Sequence, residues 1–496
     1  MPSTFFGLEM ANRALMAQQM ALDVTGHNIS NASTEGYTRQ VANLSAPQPY
    51  PIGNLGHQVS LGAGVDLSTV SRARDTFVDM QYRNQTALQG YWTSRQDGMQ
   101  KVEGAMNEPS SNSLHGDMDA FWASFGDLAN NPENAGARSV VIERATALAE
   151  GFHQVVNQLA DITKGFQAAG NVGIDQVNVM AQQISDLNGQ IRTAEVNGDS
   201  PNDLRDQRDH LVDQLSGYFK VTVTESKDPA FTDRTVNNYS ISIGSHVLVN
   251  NSLANSIQAP NFSTSPPTLS WNDNTPVQPG DGNNGNVGSI KSDFDMLSYL
   301  SVLKGKYDTL AQGIADAVNS IHQQGYDLNG NPGGAFFTYT AGDAAATLDV
   351  SSTIKADPNL IAAAGAAPAS AGSNTAADGD NALKLAAFKD GFSGITVGTA
   401  PFNTPTFTQA SSFSDYYGAV VAGVGVDGQE ADRMVSSTGV LVNHVSNQRQ
   451  SLSGVSLDEE MINLVRFQKS YSAAARMVTM MDDMLNTIVN GMGITR

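Results

Sequence analysis

The sequence predicts a mainly α protein with a β-rich insertion (α+β): long terminal helices pair as a coiled coil, and a helical-bundle, rod-like block and a β-rich domain lie between them. Three observations carry this. Apolar residues recur at alternating steps of three and four near both ends. Helical spacing dominates residues 75–215, and near residue 218 the period changes to two.

At the N-terminus Leu8, Ala11, Leu15, Gln18, Leu22, Thr25 and Ile29 form one stripe, with no proline between residues 3 and 46 to break a helix. The helix is expected to stop within residues 28–37, a run of cap and turn formers containing Gly36. The sequons at Asn28 and Asn31 are incidental if no secretory route exists. Residues 41–70 read as loop and β-hairpin. Phe77, Met80, Asn84, Leu88, Tyr91, Gly98 and Val102 then set a helix over 75–106, which Gly90, Gly98 and Gly104 weaken.

Further helices are expected at 118–129, 137–166, 172–196 and 203–215, with a break and N-cap at 198–201. The alternating charges from Asp203 to Asp209 suggest a salt-bridged solvent face rather than a catalytic or anion-binding cluster. Residues 219–225, 239–243 and 246–249 alternate or cluster β-formers, and the stretch to 288 is rich in Asn, Pro, Ser and Gly. Helix returns over 289–325, and a loop follows at 326–334. Residues 340–410 are poor in charge and give no assignment. A final helical block starts near 412 and breaks around Ser453 and Gly454.

The C-terminal stripe is Leu457, Met461, Leu464, Phe467, Tyr471, Ala474, Val478, Met481, Leu485, Ile488 and Met492. A helix over 456–491 would be roughly 50 Å long at about 1.5 Å per residue. Burying its large side chains is worth on the order of 15–25 kcal/mol, which an isolated helix cannot collect. Periodicity leaves two partners open: the other terminal helix in the same chain, or neighbouring subunits in an assembly.

With 496 residues, 40% of them hydrophobic and 16% charged, the chain suits two to four globular domains. No apolar run approaches the roughly eighteen residues of a membrane span. A net charge of −21 argues against nucleic acid and anionic membrane as partners. Zero cysteine removes disulfides, thiolate metal sites and cysteine nucleophiles together. The first ten residues lack a basic and then apolar leader, so no cleaved secretory signal is expected.

No catalytic, cofactor-binding or metal site emerges. Gly423, Gly425 and Gly428 match a dinucleotide fingerprint without the following strand and acidic residue. Asp327, Asn329 and Asn331 resemble the start of a calcium loop, but Pro332 and Thr338 stand where glycine and a bidentate glutamate belong, so a plain turn is expected. The eight histidines form no His-x-x-x-His pair, and nucleophile-elbow and phosphate-loop motifs are absent. A carboxylate pair of the kind glycosidases use stays open among 49 acidic residues.

Two terminal segments carry a resemblance. Asn28-Ile-Ser-Asn-Ala-Ser-Thr-Glu-Gly-Tyr-Thr-Arg-Gln40 resembles the signature closing the first helix of the bacterial flagellar rod, hook and hook-associated axial proteins. Ser453-Gly-Val-Ser-Leu-Asp-Glu-Glu-Met-Ile-Asn-Leu-Val-Arg-Phe-Gln-Lys-Ser-Tyr-Ser-Ala-Ala-Ala-Arg476 is similar to that family's other terminal motif. Residues 36–40 and the long helical block after 75 most resemble the members at the hook–filament junction.

The resemblance implies a structural protein, not an enzyme, without cofactors, exported through the flagellar type III channel and located outside the cell in the flagellum. Implied partners are the flagellar hook protein, a second hook–filament junction protein, further copies of the chain in a ring, and an export chaperone before secretion. Residues 1–40 with 453–496 would form the axial assembly domain, 41–217 with 289–452 the rod-like block, and 218–288 the outward insertion. The expected assembly interface is Leu8, Leu15, Leu22, Ile29, Leu457, Met461, Leu464, Phe467, Tyr471, Val478, Met481, Leu485 and Ile488. A hook or distal-rod protein, or a flagellum-borne peptidoglycan hydrolase, are the alternatives.

Overall fold

The computed structural model describes residues 5–54, 57–108, 110, 113–264, 266–277, 287–367, 377–392, 396–397, 400–401 and 411–487. The first helix, α1 (Phe6–Ser30), leads into a ribbon in which β1 (Gln40–Ser45) pairs antiparallel with β4 (Asp66–Arg72). Between them β2 (Tyr50–Asn54) pairs with β3 (His57–Leu61). Asp75 then caps α2 (Thr76–Met106), its carboxylate accepting from the Phe77 N–H and satisfying one of the donors a helix start leaves open.

Ser113 and Asn134 cap α3 (Leu114–Asn130) and α4 (Ala135–Val196) in the same way. The sequence suggested two helices over 137–166 and 172–196, but α4 is one helix of 62 residues. Its glycines serve packing. A Cβ on Gly173 would lie 2.4 Å from Ile290 Cδ1, so this position lets the neighbouring helix approach rather than ending the turn.

After α5 (Asn202–Tyr218) come β5 (Val221–Lys227), β6 (Asn237–Ile243), β7 (His246–Asn250) and β8 (Leu253–Ala254), an antiparallel meander in sequence order. In β6 alternate residues Tyr239, Ile241 and Ile243 are buried, as a half-covered strand requires. These side chains pack with Ile174, Val177 and Ile184 of α4 and Val212 and Leu215 of α5. The β-rich insertion therefore shares its core with the preceding helices, and the boundary expected at 217/218 runs through joint packing.

A larger core lies at the other end of α4. It joins Phe121, Trp122 and Phe125 of α3 to α6 (Ser289–His322) and to Phe336 and Phe337. The stretch left unassigned contributes β10 (Asp349–Val350), which pairs with β9 (Phe337–Thr338) just before it, and α7 (Ala344–Thr347), α8 (Ser352–Ala356) and α9 (Asp380–Ala386). Leu348, Ile354 and Leu385 from this stretch are buried there, so low charge marked core rather than linker.

The last two helices are α10 (Phe413–Ser453) and α11 (Leu457–Asn486). α10 runs antiparallel to α2. Gln96 Nε2 donates to Asp432 Oδ1, and Arg449 stacks on Tyr82 at the far end. A Cβ on Gly454 would sit 2.4 Å from the Gln450 carbonyl oxygen, which explains the glycine at the joint between α10 and α11. Ser456 then restarts the helix by accepting from the Glu459 N–H, with Asp458, Glu459 and Glu460 in its first turn.

Candidate assembly surface

The two terminal helices pack on each other, and two contacts fix how. Asn28 Nδ2 donates to Glu460 Oε2 at 3.2 Å, and a Cβ on Gly7 would meet Met481 Cε at 2.8 Å. The contacts are 21 residues apart on each helix and run in opposite senses, so the pair is antiparallel with a constant register. The buried face of α1 is Ala11, Ala17, Ala21, Thr25 and Asn28, small residues that let a second helix come close. On that register Tyr471 is level with Ala17 and Phe467 with Ala21.

A polar latch closes the base of the pair. Asn28 is buried; its Nδ2 donates to the Gln40 carbonyl at 2.8 Å, and its Oδ1 accepts from the Gln40 N–H at 2.9 Å and from Tyr37 Oη at 2.7 Å. Because that oxygen has no proton to give, the Tyr37 hydroxyl is spent on it, and His27 Nδ1 donates to the same hydroxyl at 3.0 Å. Burial, with Asp203, Asp206 and Glu460 nearby, pushes the Tyr37 phenol well above its ordinary value, which keeps this donor protonated. Arg39 ties the same loop to the α10–α11 joint. Its N–H donates to the Ser453 carbonyl at 2.9 Å and its Nη1 to Glu459 Oε2 at 2.7 Å.

Beneath the latch lies a buried ionic hub. Arg72 Nη1 donates to Asp206 Oδ1 and Asp209 Oδ2 at 2.8 and 2.7 Å, and Arg74 Nη1 donates to Asp209 Oδ2 at 2.8 Å. Arg83 Nε donates to Asp213 Oδ1 at 2.7 Å, while Arg449 lies 2.6 Å from Asp213 Oδ2 and 2.9 Å from Asp79 Oδ1. Burial alone would raise the Asp209 carboxyl, but Arg74, Arg72, Arg208 and Arg83 outweigh it and hold it well below the usual carboxylate range. The charges of 203–209 are salt-bridged as expected, but only Asp203 among them is exposed: Asp206, Arg208 and Asp209 are buried. Their counter-charges arrive from Arg72 of β4, Arg74 just after it, Arg83 of α2 and Glu225 of β5, which local spacing within 203–209 does not reveal.

The expected interface residues divide into three groups. Leu8, Leu15, Leu22 and Ile29 on α1 and Leu464, Phe467, Tyr471, Val478, Met481 and Leu485 on α11 are half-buried in the single chain. Leu457 and Met461 are exposed, at 53% and 61%. Ile488 lies outside the described residues, as does Met492. Beside Leu457 and Met461, Met16, Met20, Ile462, Val465, Met477, Met480 and Met484 are also exposed on the two helices, as is Phe5 just before α1. The stripe missed these because it followed the seam.

A family model described as the FlgK helical domain of flagellar hook-associated protein matches residues 99–337. Models of the flagellar basal body rod protein and the rod FlgEFG protein C-terminal region match 8–38 and 446–491. Flagellar hook-associated protein 1 of Bacillus subtilis (strain 168) is 33% identical over 518 residues, spanning 100% of this chain and 99% of that protein. The chain belongs to the hook-associated protein 1 family. Its Escherichia coli (strain K12) member is 28% identical over 97% of this chain and 98% of its own length. The flagellar hook junction protein FlgK from Burkholderia pseudomallei shares the fold, with a TM-score of 0.60 at 14% identity over 76% of this chain and 100% of that one.

The two rod-protein matches at the termini coincide with the latch, since 8–38 holds Asn28 and Tyr37 and 446–491 holds Glu459 and Glu460. The other sequence motifs resolve locally. Gly423, Gly425 and Gly428 lie inside α10, not between strand and helix. Asp327 Oδ1 accepts from the Asn329 and Asn331 N–H groups, an Asx turn. Among the described residues no group of three or more His, Asp or Glu is placed to hold a metal, and no helix is long and apolar enough to cross a membrane.

Proposed function

We infer that the chain is a structural protein of the bacterial flagellum that joins hook to filament, with the α1–α11 pair as its axial assembly element. One observation carries the reading: a chain of the hook-associated protein 1 family holds its terminal helices in a latched antiparallel pair whose outer side is studded with exposed Met, Ile, Leu and Val. Among the described residues of α11 only Glu460 and Ala474 are buried. A two-helix pair so thinly covered gains most of its stability from further burial, which favours folding coupled to assembly. Partners of that chemistry are neighbouring copies in a ring, the hook protein below and the second junction protein above. Export unfolded through the flagellar type III channel, with a chaperone holding the ends, fits a cysteine-free chain whose ends become covered only on assembly.

Electron microscopy of cells lacking the chain, with flagellin assayed in the medium, tests this. Hooks of normal length without filaments and flagellin lost to the medium are expected. Absent or abnormal hooks would move the chain to the hook or rod, and intact filaments would refute an axial role.

A further inference from the structure

Among the described methionines, two groups stand furthest apart in exposure, with Met10, Met434 and Met481 half-buried between them. Met99, Met106, Met118, Met180 and Met296 are 6% exposed or less and sit in the two cores. Met16, Met20, Met461, Met477, Met480 and Met484 are 41% to 61% exposed, and all six lie on the α1–α11 pair. Met477, Met480 and Met484 follow a three- and four-residue spacing that puts them on one side of α11, and Met16 and Met20 are one turn apart on α1. The chain has no cysteine, so thioethers are its only oxidisable sulfur.

We propose that these six thioethers are oxidation-sensitive sites spread along the pair, each of which takes an oxygen atom from a peroxide, and that their oxidation closes the unassembled chain to assembly until they are reduced. The sulfur lone pair attacks one peroxide oxygen and the O–O bond breaks. That oxygen stays on sulfur as the sulfoxide, sulfur is oxidised by two electrons, and the second oxygen leaves as water with both peroxide protons. A sulfoxide is polar where the assembly face needs an apolar group, and its dipole must be desolvated when a neighbour covers it. Once assembled, the same sulfurs would be covered and protected. The consequence for assembly rests on the reading of the α1–α11 pair as the axial element; the positions of the sites rest on exposure alone.

The full-length purified chain, titrated with hydrogen peroxide, is digested and each sulfoxide quantified by mass spectrometry. The six are expected to oxidise at least about tenfold faster than Met99, Met118 and Met296, following accessibility. Equal rates at these sites would overturn the proposal. Oxidised and untreated chains are then added to isolated hooks that lack this protein. Incorporation is expected to fall by about tenfold or more, given what one buried methionine contributes to a contact. Methionine sulfoxide reductases should restore it without any change of sequence. Substituting Met477→Leu, Met480→Leu and Met484→Leu together should blunt the loss, whereas Met80→Leu, an exposed site on α2, should not.

Undiminished incorporation of the oxidised chain would overturn the proposal and leave the junction role standing. Failure of the untreated chain to add to hooks would instead sink the junction role, and the sulfoxide map would then decide the sites by itself.

Discussion

Ile462→Asp separates the outward surface of α11 from its seam. Ile462 is 67% exposed in the single chain, so a neighbour covering it would gain about two thirds of the roughly 1.5–3 kcal/mol that full burial of an isoleucine supplies, about 1–2 kcal/mol. An aspartate in its place loses that gain and must also be desolvated beside Met461 and Val465, at several kcal/mol more. A total near 5 kcal/mol corresponds to between three and four orders of magnitude in the affinity of each contact, by the rule of about 1.4 kcal/mol per tenfold. The isolated chain should barely notice, because an exposed substitution without a special contact stays within about 0.5 kcal/mol.

The assay has two arms: circular dichroism melts of the free chain, and incorporation of labelled chain onto isolated hooks. Ile462→Asp should melt with the parent and fail to incorporate. Leu464→Asp and Leu485→Asp, at half-buried positions, should leave the two cores folded, reduce the helix signal of the pair, and also fail to incorporate. Normal incorporation of Ile462→Asp would refute the outward face, and a loss of about 2 kcal/mol or more in the free chain would show that this side already has an intramolecular partner.

Three further outcomes follow from buried groups. Asp209→Asn leaves Arg72, Arg74 and Arg83 under-compensated and should cost about 3–5 kcal/mol in urea denaturation; an unchanged midpoint would contradict the hub. Because the Asp209 carboxyl is depressed in the fold, its stabilisation is present above about pH 4 and is lost as pH falls further, a loss the variant should not show. Gly90→Ala places a Cβ 2.3 Å from the Gly217 carbonyl oxygen where α2 meets the end of α5, and should destabilise by about 1–3 kcal/mol despite the helix propensity of alanine. Burial lowers His322 from 6.5 to about 4 and raises Asp293 from 3.8 to about 6. The histidine term is present above about pH 6.5 and is lost on acidification toward 4, up to about 3 kcal/mol, while the aspartate term is fully present below about pH 4 and is lost as pH rises through 6. Asp293→Asn should therefore steepen the acid loss between pH 6.5 and 4, and His322→Asn should flatten it; parallel curves would refute both assignments.

What could be read from the sequence was what one helix or strand decides alone. The terminal helices, the stop of the first at Ser30 within 28–37, the break at Gly454 and the alternation of Tyr239, Ile241 and Ile243 are set by spacing, capping and the strand pleat. The continuity of α4 was hidden because glycine at 170 and 173 carries the same letter whether it ends a helix or admits Phe262 and Ile290 against it. Residues 340–410 gave no period because their buried residues sit on short elements, each too brief to show one.

The ionic hub and the latch were illegible for a different reason, which bears on how the molecule holds its ends. Asp206, Asp209 and Asp213 are spaced three and four apart on α5, so they share one face, and a cluster of three acids is tolerable in a buried place only with cations supplied from outside. Arg72 and Arg74 come from one end of the chain, Arg449 from the other, and Arg39 joins the α10–α11 joint. The N-terminal ribbon and the last turns of α10 are thus bound to the same helix, and the α1–α11 pair springs from that common base. A chain whose two ends must form one element needs its central body to bring them together, and α5 supplies the charge that does so. Removing Asp213, which holds both Arg83 and Arg449, should therefore loosen the base of the pair more than it disturbs the aromatic core around Trp122, a contrast that hydrogen exchange in α10 and α3 would read directly.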